Sequence, residues 1–183
     1  MKPRWSYLIT PKNGNEYNNH KKIGDQTLIV NTSIEDASYV NRLGVVSAVP
    51  AHGANGPKVG DVVVVHHNVF RTYFDMKGNQ RKSNEYFRDG QYLVSPERIY
   101  MYHDGEDWKC TEGYCFVRPI DYIQSGDLYR TEKKEEQHVG LVRNSSIYEP
   151  GTRVGFTKNS EYQFDIEDEK VYRMREADLC ILF

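Results

Sequence analysis

Cys110 and Cys115 stand either side of Thr-Glu-Gly-Tyr, and His66, His67 and His103 add the other common ligand type, so zinc is the first chemistry these residues suggest. Structural zinc is held tetrahedrally by Cys and His side chains that come in close pairs, roughly two to four residues apart. One cysteine pair does not complete such a set. It reads as a turn thiol and a buried strand thiol, and no metal or cofactor is expected. His66-His67 closes an apolar strand, which puts one ring inward and one outward. With no Ser or Cys nucleophile in a recognisable motif around them, both read as structural. Asp165, Glu167, Asp168 and Glu169 are numerous enough for acid–base work or a calcium cage. They lie between two apolar strands and lack the calcium loop's spacing and central glycine, so they read as a solvated hairpin turn. The patterns of a phosphate loop, a nucleophile elbow or a metalloprotease helix do not occur. The chain is expected not to be an enzyme and to have no catalytic residues.

The most distinctive stretch runs from Phe70 through Tyr73, Phe74, Lys77-Gly78-Asn79, Tyr86 and Phe87 to Arg88, interleaving aromatic rings with Arg and Lys. It reads as a hairpin turning at Lys77-Gly78-Asn79. Such a surface can stack bases and hold phosphates. It is equally the composition of a protein interface, where Tyr, Phe, Met and Arg are enriched. The whole chain carries a formal net charge of -2 with both signs interspersed. A protein interface is therefore the preferred reading and single-stranded nucleic acid the last.

Helix signals are nearly absent, apart from a possible single turn opened by Ser33 with Asp36 three residues on. The apolar segments are short, rich in Val, Ile, Tyr and Phe, and separated by Gly, Asn, Asp or Pro. Strands are expected at 5–10, 26–31, 44–49, 61–66, 69–74, 86–87, 91–94, 99–102, 114–118, 139–143, 153–156, 162–165, 170–174 and 179–183. The three cysteines point to a reducing compartment, and the start of the chain has no secretory pattern. No apolar run nears the roughly 20 residues of a membrane helix. The cytoplasm is the expected location, with a virion as the alternative.

These segments echo one another across the chain. Tyr7-Leu8-Ile9-Thr10-Pro11 answers to Tyr114-Cys115-Phe116-Val117-Arg118-Pro119, and Leu43-Gly44-Val45-Val46 to Val139-Gly140-Leu141-Val142. Val59-Gly60-Asp61-Val62-Val63-Val64 answers to Pro150-Gly151-Thr152-Arg153-Val154-Gly155. The endings 92–102 and 172–183 match as strand, short polar turn and apolar strand. Four blocks in one order indicate an internal repeat. The fold class expected is all-β, two small barrels in tandem, because closure removes the edges an open sheet exposes. The domains are placed at 1–105, with an inserted aromatic hairpin at 69–88, and at 106–183.

In block order this sequence resembles the GroES-type co-chaperonins. Gly44-Val45-Val46-Ser47-Ala48-Val49, the turn Lys58-Val59-Gly60-Asp61 into Val62-Val63-Val64-Val65, and Tyr92-Leu93-Val94 leading to Glu97 and Ile99 carry the likeness. Asp178-Leu179-Cys180-Ile181-Leu182 is similar to the family's ending. The resemblance implies GroES-like barrels, a homo-oligomeric ring and a chaperonin partner touched through loops. The stretch 31–42, with Ile34, Tyr39 and Val40, and the stretch 120–138, with Tyr122, Ile123, Leu128 and Tyr129, stand where those loops would be. Neither carries the family's Gly-rich flank and aliphatic triplet, and a charged loop is expected at 120–138. A structural role in a larger particle, with Phe70, Tyr73, Phe74, Tyr86 and Phe87 as the main contact, is the alternative.

Overall fold

The computed structural model describes residues 2–23, 26–29, 36–53, 55–125, 131–167 and 169–183. The chain divides into two compact units, Met1–Asp107 and Trp108–Phe183. Helical structure among the described residues is limited to four 3-10 turns of three residues each. No helix is long and apolar enough to cross a membrane. The protein is all-β and its sheets are antiparallel.

In the first unit the strands are β1 (Tyr7–Pro11), β2 (His20–Ile23), β3 (Gln26–Ile29), β4 (Leu43–Ala48), β5 (Val62–Val65), β6 (Thr72–Phe74), β7 (Gln80–Lys82), β8 (Tyr86–Arg88), β9 (Gln91–Val94) and β10 (Ile99–His103). The second unit holds β11 (Trp108–Cys110), β12 (Tyr114–Ser125), β13 (Thr131–Asn144), β14 (Arg153–Phe156), β15 (Tyr162–Ile166), β16 (Glu169–Arg175) and β17 (Leu179–Leu182). The first unit's sheet runs β10-β5-β4-β1-β9-β8, and the second unit's runs β17-β14-β13-β12-β16-β15. In chain order these are the same six positions. Both sheets are open in their pairing: among the described residues β10 is not joined to β8, nor β17 to β15.

The agreement extends to register. Pro11 faces Gly44 and Pro119 faces Gly140. A slip falls between Leu8 and Ile9 against β4, and between Phe116 and Val117 against β13. A second slip sets off Ile99 from Met101 against β5, and Leu179 from Ile181 against β14. Bulges of this kind bend a strand and pin its register, so matching ones give the two units matching curvature. The glycine turns agree too. The Val46 N–H donates to the Asp61 carbonyl at 3.0 Å and the Gly60 N–H to the Val46 carbonyl at 2.9 Å. In the second unit Val142 donates to Thr152 at 2.8 Å and Gly151 to Val142 at 2.7 Å. Gly60 and Gly151 have φ of 95° and 87°, which favours a residue without Cβ.

Gly44 and Gly140 are needed for a different reason. Each lies where its strand crosses closely over the first shared strand of its unit, β1 or β12. A Cβ on Gly44 would strike Ile9 Cγ2 and come to 3.1 Å from Phe70 Cζ; one on Gly140 would strike Val117 Cγ1 and come to 2.6 Å from the Arg118 carbonyl. The cores follow from strand composition. Val63, Val64 and Val65 are fully buried, as β-branched side chains suit a strand covered on both faces. With Tyr7, Ile9, Val46, Phe70, Tyr92, Val94 and Ile99 they build the first core, apart from Val64. Cys115, Val117, Val142, Val154, Phe156 and Met174 build the second.

Several local expectations are corrected. Strands also form at His20–Ile23, Gln80–Lys82 and Trp108–Cys110. Val69 and Phe70 belong to a turn rather than a strand, yet both are fully buried. The largest correction concerns 120–138. Its described part is strand, because β12 runs on past Pro119 and β13 starts at Thr131, with Asp121 facing Glu135 and Ser125 facing Thr131. A charged run is as compatible with a paired strand as with a loop, so charge did not signal a loop there. The turn expected at 32–37 lies mostly outside the described residues.

Candidate protein-contact surface

The first part of the aromatic stretch, Thr72–Lys82, forms a hairpin; Tyr86 and Phe87 lie instead on β8, which pairs with β9 in the main sheet and corresponds to β15, so the insertion is shorter than the expected 69–88. Tyr73 faces Arg81 and Phe74 faces Gln80 across β6 and β7. Asp75 builds the turn: its Oδ1 accepts the N–H groups of Lys77 and Asn79, each at 2.9 Å, and its Oδ2 accepts from Arg81 Nε at 3.1 Å. Gly78, with φ of 78°, closes the turn by donating to the Asp75 carbonyl at 2.9 Å. The Asn79 N–H above all holds the Asp75 carboxyl down at about 2, and with the Arg81 guanidinium and the Lys77 N–H it outweighs the opposing desolvation. A short acidic side chain ahead of Gly is the sequence signal for such a turn.

This framework presents apolar surface to solvent. Met76 is fully exposed, Phe74 is 49% exposed, and Tyr73, Tyr86 and Phe87 are exposed between 38% and 42%. Phe70 is corrected: it is fully buried, packed edge-on against Tyr92 with ring centroids 4.9 Å apart, and no partner can reach it. Tyr86 lies edge-on to Tyr92 at 5.4 Å and carries Lys82 Nζ 5.9 Å above its ring. Beneath it the Tyr92 hydroxyl donates to Glu16 Oε1 at 2.5 Å, and Lys82 pairs with Glu16 Oε2. Burial first, and then the Glu16 carboxylate, push the Tyr92 phenol well above its usual range.

Beside the hairpin lies a cleft of about 400 Å³, lined by Asn68, Arg71, Tyr73, Ser83, Glu85 and Arg98 among others. Arg98 pairs with Glu85. Asn68 Oδ1 and Arg71 Nε are buried without a hydrogen-bond partner. Nothing in the one-dimensional pattern marks this cleft, since its walls come from three separate segments.

The other expected contact residues are scattered. Tyr39 is half-buried in a 3-10 turn, and its carbonyl accepts the Asn18 N–H at 2.7 Å. Val40 is corrected: it is 2% exposed and part of the first core. Tyr17 bridges to Val40, and buried Asn41 donates to the carbonyls of Lys12 (3.1 Å) and Asn15 (2.8 Å). This stitching closes the root of the excursion between β1 and β4, and Asn41 and Glu16 were not foreseen as its anchors. On the second unit's ribbon Tyr122 is 44% exposed and faces Lys134, and Ile123 faces Lys133. Ile34, Leu128 and Tyr129 lie outside the described residues.

The remaining chemical candidates make the following contacts. The Cys110 thiol donates to the Asn144 carbonyl at 3.2 Å. Burial foremost pushes Cys115 up to about 12 and Cys110 higher still, so both thiols stay protonated and poorly nucleophilic. Among the described residues no three His, Cys, Asp or Glu side chains are placed to share a metal ion. His66 and His67 stack at 4.2 Å, and His66 Nδ1 accepts the Asn68 N–H at 3.0 Å. The acidic turn is not simply solvated, which corrects the sequence reading. Glu169 and Glu167 grip the largely buried Arg143 at 2.7 and 3.1 Å, Arg118 binds Glu169 at 2.5 Å, and Trp108 Nε1 donates to Glu167 at 2.9 Å. Burial works against the Glu169 carboxylate, but Arg143 and Arg118 outweigh it and lower its pKa.

A comparison with protein-family models finds no match, and a search of curated proteins finds none.

Proposed function

We propose that this chain is a non-enzymatic, co-chaperonin-like protein: two GroES-like barrels in tandem, assembled into a homo-oligomeric ring that caps or assists a chaperonin in the cytoplasm. The observation that carries this reading is the shared plan of the two units, which agree in strand order, register and bulges. Both units also send out an excursion at the same place, between their first and second shared strands: 12–42 in one, the β12–β13 ribbon in the other. That is where the sequence likeness to co-chaperonins puts the partner-binding loops. Weak apolar contacts repeated around a ring add through multivalency, so no single loop needs high affinity. Comigration with a chaperonin on a sizing column in the presence of ATP tests the proposal; no complex with any nucleotide would sink it.

A second reading is favoured by the exposed hairpin. A structured turn that holds Phe74 and Met76 in solvent suits a fixed contact in a larger assembly, such as a virion. Stable recovery in a purified particle at constant stoichiometry would establish it. In the second reading the hairpin is the main protein contact, and neither reading calls on a cofactor.

A further inference from the structure

The segment 69–88 departs in charge from the rest of the molecule. It holds the cations Arg71, Lys77, Arg81, Lys82 and Arg88 against the carboxylates Asp75 and Glu85, within a chain of net charge -2. Two of them are held by carboxylates, Arg81 by Asp75 and Lys82 by Glu16, and Arg98 of the cleft is held by Glu85. Arg71 differs. Among the described residues no carboxylate pairs with it, and its Nε is buried without an acceptor. Asn68, on the same cleft, holds a buried Oδ1 without a donor. A buried N–H lacking an acceptor and a buried acceptor lacking an N–H are each costly, and a single ligand in the cleft can satisfy both.

From this we infer that the cleft is a receptor for an acidic side chain of an extended protein segment. The carboxylate meets the Arg71 guanidinium and a neighbouring N–H meets Asn68. A planar fork suits a carboxylate, and the cleft has room for an acidic side chain together with its neighbouring backbone. Peptide supplies both the anion and the N–H, whereas a phosphodiester backbone supplies acceptors alone. Continuity with the hairpin adds the apolar half of the contact. Tyr73 lines the cleft and is exposed, and β8, which begins just after Glu85, is an end strand of the sheet with all three side chains exposed. An extended segment lying along that edge can place alternate side chains over Tyr86 and Phe87 and into the cleft.

The inference rests on reading the hairpin as a protein contact, and the test separates the two. Fluorescence anisotropy with the full chain would compare an acetylated, amidated octapeptide of alternating leucine and glutamate, its glutamine counterpart, and an oligothymidylate. The glutamate peptide should bind at least about tenfold tighter than the glutamine one, and Arg71→Gln should erase that preference. Lys58→Gln, an exposed cation away from the cleft and from β8, should change it by less than about twofold. Equal binding of the two peptides by the unaltered protein would overturn the inference, whether or not Arg71→Gln folds. Tighter binding of the oligothymidylate would overturn it in favour of nucleic acid. In parallel, Phe74→Ser with Met76→Ser should weaken binding of the glutamate and glutamine peptides alike by at least about tenfold. That loss, with no glutamate preference in the unaltered protein, sinks the carboxylate receptor alone; unchanged peptide binding by the double variant sinks the hairpin contact beneath it.

Discussion

The two units carry the same six-strand order and nearly the same register, yet they bury different amounts of their equivalent strands. In the first unit β10 is buried through Ile99, Tyr100 and Met101, while its counterpart β17 leaves Ile181 and Leu182 more than half exposed. At the opposite end the relation is reversed. The end strand β8 exposes every side chain, whereas β15 buries Phe164 and Ile166. The frame and the surface therefore answer to separate demands. Register, bulges and the two close-approach glycines set the frame, and those depend on backbone geometry. Which face is covered depends on what each unit inserts between the shared strands.

A network common to both units shows the same independence. Tyr92 donates to Glu16, which Lys82 also binds; Tyr172 donates to Glu135, which Lys170 also binds. The tyrosines occupy equivalent strand positions, but Glu16 follows β1 while Glu135 lies on β13. One arrangement of phenol, carboxylate and ammonium is thus reached from two different chain positions. A phenol drawn out of solvent beside a carboxylate needs its O–H satisfied, whichever segment supplies the acceptor.

The strongest way to break the comparison is to remove a core residue that only one unit has. Phe70→Ala, in the insertion of the first unit, is expected to cost about 3–5 kcal/mol by denaturant titration. A cost near that of an exposed site would mean the insertion packs on nothing. Next come the glycines. Gly44→Ala and Gly140→Ala should each destabilise by about 1–3 kcal/mol, because the added methyl meets backbone or a packed side chain. Similar values for both would sharpen the equivalence, and a neutral result at either would show that its strand gives way.

Titration separates the units more gently. The Tyr92 and Tyr172 phenols are both raised, most strongly Tyr92. A raised phenol contributes stability below its unfolded pKa, near 10, and that contribution is lost as pH climbs through the folded value. Thermal melts followed from neutral pH to above about 10 should therefore fall, and Tyr92→Phe should flatten the fall more than Tyr172→Phe. Asp75 acts on the acid side. Its depressed carboxyl favours the folded hairpin above its ordinary 3.8, and the contribution disappears as pH drops toward about 2. Asp75→Asn should remove that part of the acid sensitivity, read by melts between those limits. The smallest effect belongs to Met76, fully exposed at the hairpin tip. Met76→Ser should leave stability within about 0.5 kcal/mol of the starting protein.

Much of the frame was legible in order along the chain. Val62-Val63-Val64-Val65 is a strand by composition alone, and Gly60-Asp61 and Gly151-Thr152 announce the turns that precede the third shared strand of each unit. The repeated blocks foretold which strands correspond, because a strand's period and its bounding turns are local properties. The hairpin at Lys77-Gly78-Asn79 was readable for the same reason. The ribbon at 120–138 was not, since charged residues alternate equally well on a solvated strand and in a loop, and only pairing decides between them.

What the sequence by itself determined is the strand-and-turn vocabulary and its repetition. Only tertiary structure decided that Val40 and Phe70 are core, that Arg143 is gripped by the acidic turn, and that Asn68, Arg71 and Arg98 wall one cleft. The physical reason is distance along the chain. A turn's geometry is settled by its own few residues, but burial and charge pairing are settled by segments dozens of residues apart, whose meeting no local pattern records.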